Sequence, residues 1–182
     1  MSKCPRTLPK CGALKRLTEV EFNSERVTAE EWQRLATLRL RALEDSPMWF
    51  AGDLEKERAR TELDWRKLID EMHWIIFCYE GRDVGIMTAE KADPIRGTDC
   101  WLASCWIEPE LRGKGITSKM IEKLDEICRT EGWQTQGLGV WPDNEVAIRA
   151  YTKSGFVKRG EPQPSRSKPG QLYQMMFREL PN

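Results

Sequence analysis

One segment of the sequence runs Ala103-Ser104-Cys105-Trp106-Ile107-Glu108-Pro109-Glu110-Leu111-Arg112-Gly113-Lys114-Gly115-Ile116-Thr117-Ser118. It predicts a strand, a turn, a glycine-rich loop and a helix, in that order. The apolar run that ends at Ile107 is typical of a buried strand, and Pro109 ends it because proline cannot donate to a strand ladder. Gly113 and Gly115 permit backbone conformations that a β-carbon would forbid. The helix is predicted by an apolar stripe: Met120, Ile121, Leu124, Ile127 and Cys128.

The start of this helix is a predicted anion site. The first amides of a helix have no acceptor within it, and they point the same way as the positive end of the helix dipole. Glycines let a bulky anion approach the backbone, which suits a phosphate group. The spacing does not match a P-loop, which needs Gly, four residues and then Gly-Lys-Ser/Thr. It does not match the dinucleotide pattern either, because Ser118 stands where that pattern needs a third glycine.

The same segment resembles motif A of the GNAT superfamily of N-acetyltransferases, in which Gln/Arg-x-x-Gly-x-Gly/Ala follows a strand ending in apolar-x-Pro-Glu. Arg112, Gly115 and Thr117 fill the three defined positions, and Thr117 departs from the Gly/Ala of the family. A second block, Asn144 to Phe156, resembles motif B in its Asn, the Ala three residues on, the Tyr seven on and the Gly-Phe eleven on. Together the two blocks carry the resemblance over roughly residues 105–157.

The predicted order of elements is βααβββαβαββ, with a first strand over Ala13–Val20 and a second helix over Leu54–Asp70. The resemblance implies an α/β (α+β) fold: a mixed, mostly antiparallel sheet flanked by helices, in which two central parallel strands splay apart. We expect a flexible tail over residues 1–11 and a single domain over residues 12–182. The exposed edges of such a sheet favour a homodimer.

Composition limits the classes of partner. Acidic and basic residues balance at 29 each, which does not favour nucleic acid or an anionic membrane. No apolar run approaches the roughly 20 residues of a membrane span, and residues 1–10 lack the apolar core of a secretory signal. We therefore expect a cytoplasmic protein without nucleic-acid or membrane partners. The six cysteines form no Cys-x-x-Cys pair and His73 is the single histidine, which predicts no metal site.

The resemblance implies acetyl-CoA as co-substrate and assigns the residues that bind it. The backbone of Cys105, Trp106 and Ile107 is expected to pair with the pantetheine arm as another strand would. Asn144 is a further candidate contact, and it is also a suitable helix cap. The pyrophosphate is expected on the glycine-rich loop and the first helical turn: Arg112, Gly113, Lys114, Gly115, Ile116, Thr117 and Ser118.

Tyr151 stands at the position of the general acid of the family. A phenol with a pKa of about 10 is protonated at neutral pH and can donate to a departing thiolate. The alternative is a core position on its helix. The catalytic base is left open: Asp99, near the start of the cofactor strand, is the first candidate, and Glu80, Glu90 and a chain of waters are the others.

The connector between the first two helices contains three large apolar residues, Met48-Trp49-Phe50. The family commonly places the acceptor beside this connector, so Trp49 and Phe50 are candidate substrate-binding residues. The alternative is a plug that closes the core. The resemblance implies an N-acetyltransferase that moves an acetyl group to a primary amine of a small molecule or protein by direct attack in a ternary complex. The alternatives are a non-catalytic acyl-CoA sensor or scaffold and an acyltransferase for longer acyl-CoA.

Overall fold

The structure, a computed structural model, describes residues 22–181. The predicted tail over residues 1–11 and the predicted strand Ala13–Val20 lie outside these residues, so both stay predictions. In chain order the described elements are β1 (Phe22–Arg26), α1 (Trp32–Asp45), α2 (Leu54–Arg58), α3 (Glu62–Glu71), β2 (His73–Tyr79), β3 (Arg82–Lys91), β4 (Cys100–Ile107), α4 (Ile116–Thr130), β5 (Thr135–Val140), α5 (Glu145–Lys153), β6 (Val157–Lys158), β7 (Gln163–Pro164) and β8 (Leu172–Glu179).

The strands form a mixed sheet in the order β1-β2-β3-β4-β5-β8-β6, and the short β7 pairs with β8. Neighbouring strands are antiparallel except β4 and β5, which run parallel. The helix α4 joins these two strands, since a parallel pair requires a crossover connection. This arrangement confirms the predicted fold class, a mostly antiparallel sheet flanked by helices with one parallel central pair.

Helices cover both faces of the sheet because successive strand residues point to opposite sides. On one face, Phe77 of β2 belongs to a core that includes residues of α4 and Phe156. On the other face, Ile76 belongs to a core that includes residues of α1 and Trp106. Two neighbouring residues of one strand therefore supply two separate cores.

The predicted helix over Leu54–Asp70 is wrong as a single element, because the structure divides it into α2 and α3. Thr61 and Asp64 form a capping box that starts a new helix. The Thr61 hydroxyl accepts from the Asp64 amide at 3.3 Å, and the Asp64 carboxylate accepts from the Thr61 amide at 2.8 Å. Trp65 is buried in α3, whereas Leu63 is 75% exposed.

Arg178 of β8 holds the end of α5 against the sheet. Its Nη1 donates to the carbonyl of Ser154 at 2.8 Å, and its Nε donates to Oε1 of Gln136 at 2.6 Å. It also forms an ion pair with Asp125 of α4, and both charged side chains are buried. A buried ion pair is tolerated when its remaining polar atoms are hydrogen-bonded. The contacts of Arg178 therefore fix α5 relative to α4 and β5.

Asp99 joins the beginning of β4 to the beginning of β5. Its carboxylate accepts hydrogen bonds from the amides of Gln134 at 2.9 Å and Thr135 at 3.0 Å, and from the Thr135 hydroxyl at 2.9 Å. These bonds, with that from the Gln134 backbone as the largest cause, lower the pKa of Asp99 below its ordinary value. These hydrogen bonds therefore hold the first residues of the two parallel strands together.

The substitution Asp99→Asn is expected to lower the free energy of unfolding at neutral pH by about 1 kcal/mol, since a neutral amide accepts these bonds less strongly and the site is exposed. The folded-state pKa is depressed, so the carboxylate contributes above its unfolded-state pKa of about 3.9. That contribution is lost as the pH falls through the folded-state pKa. Urea unfolding from neutral to acidic pH measures the effect.

The control is Asp70→Asn, because Asp70 is exposed on α3. This variant should follow the wild type at every pH. The wild type and Asp99→Asn should converge in acid, and a difference that widens towards acidic pH would contradict the assignment.

Candidate active site

The strands β4 and β5 pair over three residues and then separate. Cys100–Leu102 pairs with Gln136–Leu138, after which the strands continue to Ile107 and Val140 without pairing with each other. The register of β4 against β3 shifts at this point, and Ser104 has a φ of 57°. An extra residue in one strand bends that strand locally. The bulge at Ser104 therefore opens a gap whose two edges expose backbone amides and carbonyls.

A groove of about 1500 Å³ follows this gap. Its walls come from β4, the loop before α4, the end of β5 and the start of α5, and from three loops farther along the surface. Most of the predicted site residues line it, namely Trp49, Phe50, Cys105, Trp106, Ile107, Arg112, Gly113, Gly115, Ile116, Thr117, Ser118, Asn144 and Tyr151. The exposed Lys114 and Asp99 are not part of the wall.

The glycine-rich loop forms one end of the groove. Gly113 and Gly115 have φ values of 74° and 79°, and α4 begins directly after them at Ile116. A β-carbon built on either glycine would meet no described atom within 4 Å, so the loop is open to a bulky ligand. With the first-turn amides of α4 beside it, this end suits a phosphate group.

The side chain of Arg112 makes its polar contacts with other residues of the protein. Its Nε donates to the carbonyl of Ile107 at 2.9 Å, and its guanidinium forms an ion pair with Asp45 at the end of α1. The Asp45 carboxylate also accepts from Nε1 of Trp106 at 2.9 Å. Burial opposes ionisation of Asp45, but the hydrogen bonds from Ser46, Trp106 and Arg112 lower its pKa. Arg112 therefore holds the glycine-rich loop against β4 and α1.

Asp45 was not among the predicted site residues. A local signal existed, since a carboxylate in the last turn of a helix is opposed by the helix dipole and needs a compensating partner.

The phenol of Tyr151 on α5 faces the thiol of Cys105 on β4. The Tyr151 ring also lies 6.0 Å from the ring of Phe156, measured between centroids. Burial raises the pKa of Tyr151 well above its ordinary value and raises the pKa of Cys105 to about 12. Both groups therefore keep their protons at neutral pH, and the phenol is a hydrogen-bond donor in the gap.

Asn144 caps α5. Its Oδ1 accepts from the amide of Ala147 at 3.1 Å, and the residue also lines the groove. The side-chain amide nitrogen remains a donor beside the groove. Asn144 is therefore a helix cap that also lines the groove, and its contact with the cofactor stays a prediction.

The carboxylates considered as a base lie outside the groove. Asp99 is tied to β5 at the closed end of the strand pair. Glu80 lies in the turn between β2 and β3, and Glu90 forms an ion pair with Arg96 at 3.8 Å. Among the residues that the structure describes, three other carboxylates line the groove: Asp93, Asp143 and Glu145.

Trp49 and Phe50 have different environments on the same loop. Phe50 is 7% exposed and packs with the core under α1, so it is a plug as well as a wall residue. Trp49 is 36% exposed, and its carbonyl accepts from Nε1 of Trp141 at 2.9 Å. The connector after α1 is therefore attached to the loop after β5.

Sequence reasoning missed the wall that faces this connector. Gly139 separates Trp101 from Tyr173, and a β-carbon on it would come within 2.8 Å of Tyr173 and 3.3 Å of Trp101. Lys168 reaches over the connector and donates to the carbonyls of Pro47 at 3.2 Å and Met48 at 3.1 Å. Aromatic residues on distant segments share no sequence pattern that would indicate this wall. The only local signal for it was the exposed Gly139 in β5.

Two kinds of feature are absent from residues 22–181. This part of the chain contains no group of three or more His, Cys, Asp or Glu residues that could hold a metal ion. It also contains no helix that is both long and apolar enough to cross a membrane.

The profile of the acetyltransferase (GNAT) family matches residues 32–156. A curated relative, described as an uncharacterized N-acetyltransferase from Methanocaldococcus jannaschii, is 25% identical over 117 residues. That alignment covers 58% of this chain and 48% of the relative, so the chain spans about half of the relative's length.

Solved structures share the fold. An acetyltransferase of the GNAT family from Streptococcus pneumoniae has a TM-score of 0.70 and 19% identity, covering 88% of this chain and 100% of that chain. Spermidine N-acetyltransferase from Vibrio cholerae, in complex with CoA and spermine, has a TM-score of 0.68 and 13% identity. The match covers 89% of this chain and 97% of that chain. Since the family profile also matches more than half of the sequence, the chain belongs to the acetyltransferase (GNAT) family.

Proposed function

We propose that this protein moves an acetyl group from acetyl-CoA to a primary amine of a small molecule or protein, by direct attack in a ternary complex. The observation that carries the proposal is the gap between β4 and β5, with Tyr151 facing Cys105 across it and the glycine-rich loop at its end. Unpaired strand edges, a protonated phenol and a phosphate cradle thus share one groove.

The groove residues fit acetyl-CoA in two ways. The backbone of Cys105, Trp106 and Ile107 would bind the pantetheine arm as an added strand, which the open edge of β4 permits. The amides from Gly113 to Ser118 would bind the pyrophosphate at the positive end of α4. In this proposal Arg112 contributes by holding the loop in place rather than as a free phosphate ligand.

Acetyl-CoA supplies an acetyl group activated as a thioester, whose carbon–sulfur bond breaks as the amine nitrogen bonds to the carbonyl carbon. Tyr151, which keeps its proton at neutral pH, donates a hydrogen bond to the leaving sulfur. A backbone amide of β4 at the gap stabilises the negative charge on the carbonyl oxygen. The proposal assigns the amine proton to water in the groove, because Asp99, Glu80 and Glu90 lie outside it.

The position of these three carboxylates also favours a second candidate function. A groove that binds acyl-CoA but contains none of the three predicted bases would suit a non-catalytic acyl-CoA sensor or scaffold. Both candidate functions predict that acyl-CoA binds, but only the transferase predicts thiol release. Measuring binding and thiol release on the same protein therefore separates them.

The substitution Tyr151→Phe is expected to lower kcat for thiol release by about a hundredfold or more, since it removes the proposed acid. Acetyl-CoA affinity should stay within about twofold, because the phenol contributes to leaving-group departure and not to phosphate binding. Calorimetric titration with acetyl-CoA gives the affinity, and a thiol-release assay with a panel of amines gives kcat.

Tyr79→Phe is the matched control, since Tyr79 lies in β2 and does not line the groove; it should keep the wild-type kcat. Equal kcat in wild type and Tyr151→Phe would remove the acid from the proposal. Binding without release on any amine would favour the sensor. Acyl-CoA donors of increasing length identify a preference for longer chains.

The substitution Gly115→Ala is expected to raise the Kd for acetyl-CoA by about tenfold, because the added methyl group enters the proposed phosphate cradle. It should also cost about 1 kcal/mol of folding stability, since φ at this residue is 79°. Calorimetry and thermal unfolding measure the two effects separately.

Gly132→Ala is the matched control at the other end of α4, with a φ of 73°, no described atom within 4 Å of the added carbon, and no place on the groove wall. It should show the same loss of stability and an unchanged Kd. Equal changes in Kd for both variants would mean that strain, and not the cradle, sets the affinity.

A further inference from the structure

The groove wall has more cations than carboxylates. Among the residues that the structure describes, it contains six cationic side chains (Arg39, Arg96, Arg112, Arg149, Lys153 and Arg166) and three carboxylates (Asp93, Asp143 and Glu145). Three of the cations come from the glycine-rich loop and α5, where the proposed phosphates bind. The other three, Arg39, Arg96 and Arg166, come from segments away from that end and are not explained by the phosphates.

Arg39 of α1 is a buried cation with unused donors. The residue is 6% exposed, and its Nη2 donates to Oε1 of Glu57 at 3.1 Å. Its Nε and Nη1 are buried and have no hydrogen-bond partner within residues 22–181. A buried donor without an acceptor costs about 1–3 kcal/mol, so two of them in one side chain require an explanation.

Glu57 does not balance the local charge. Its second oxygen lies 3.4 Å from Nε of Arg60, so the carboxylate is shared between two guanidinium groups. Two positive charges and one negative charge leave one positive charge in this cluster. A single carboxylate from a ligand would neutralise it.

The place of Arg39 connects this charge with the proposed acceptor region. Its guanidinium carbon lies 4.9 Å from the ring centroid of Phe50, and a β-carbon on Gly52 would come within 2.6 Å of its Nη2. Phe50, Gly52 and Arg39 all line the groove. Arg39 therefore lies against the connector that carries Trp49 and also lines the groove.

Arg96, another groove-wall cation, stacks on Trp101, with 3.9 Å between the guanidinium carbon and the ring centroid. The carboxylate contributed by that loop, Asp93, accepts from the amide of Ile95 at 3.1 Å and caps a short turn. A polyamine acceptor would need several free carboxylates here. The wall instead combines guanidinium groups with aromatic rings.

We propose that the acceptor carries a carboxylate next to its amine, as a free amino acid does, and that Arg39 binds this carboxylate. A guanidinium group is a planar set of donors that matches a carboxylate, and its low exposure leaves the attraction unscreened by solvent. The apolar part of the acceptor lies against the rings of Trp49, Phe50 and Trp101. This inference rests on the proposed acetyltransferase function and names its acceptor class.

The test compares each standard amino acid with its C-terminal amide as acceptors for thiol release from acetyl-CoA. The wild type is expected to use at least one amino acid with a kcat/KM about 10- to 100-fold above that of its amide. In Arg39→Gln this ratio should fall to about one. In Arg66→Gln, the matched control, it should stay at the wild-type value, because Arg66 pairs with Glu62 on α3 and does not line the groove.

If Arg39→Gln does not fold, the wild-type ratio still decides, and Arg39→Lys should lower the ratio several-fold by replacing the planar donor set with a point charge. Amides that match or exceed their acids in the wild type, a preference for spermidine, or an equal loss with acid and amide in Arg39→Gln would each overturn the inference.

Failure of the proposed function has a different signature. Acetyl-CoA would then bind without thiol release on any acceptor in the panel. In that case the carboxylate site is tested by calorimetric titration of each amino acid and its amide into the CoA complex. Their Kd values can be compared because binding needs no turnover. Tighter binding of the acid would support the site, and equal binding would overturn it.

Discussion

The separation of β4 from β5 is the constraint on which the groove depends. Asp99 ties the two strands at their start, and the bulge at Ser104 turns β4 away after three paired residues. A non-glycine residue in the left-handed region costs about 1–2 kcal/mol, which the surrounding sheet must offset. The result is a wedge with backbone donors and acceptors on both sides. Such groups are almost always paired in proteins, so the wedge is suited to an extended ligand.

Segments far apart in the sequence position the two ends of this wedge. Asp45, at the end of α1, is bonded to Trp106 of β4 and to Arg112 of the glycine-rich loop, so a single carboxylate aligns three elements. Lys168 attaches the loop before β8 to the connector after α1. The packing of α1 on the sheet therefore sets the geometry of the glycine-rich loop and of the connector after α1, and the same helix brings Arg39 to the groove wall.

The resemblance carried by the two motif blocks made the fold class predictable. Glycine before an apolar stripe indicated the loop and α4, and Asn144 with Tyr151 at the spacing of motif B indicated α5. The break between α2 and α3 was missed because the box of Thr61 and Asp64 was not weighed against the apolar spacing. Asp99 was predicted to lie near the cofactor because it stands near the start of the cofactor strand. Its hydrogen bonds go instead to residues 35 and 36 positions away at the start of β5, which no local pattern indicates.

The sequence by itself determined most of the helices and strands, their order and the glycine-rich loop before α4, because turn chemistry and apolar periodicity act between residues a few positions apart. Tertiary structure alone decided which side chains share the groove and what charge they leave there. The bond from Trp141 to Trp49 joins residues 92 apart, and that of Arg39 with Glu57 joins two helices. Whether a buried charge is neutralised depends on the charges of every element packed around it. No local sequence pattern gives the sum of those charges.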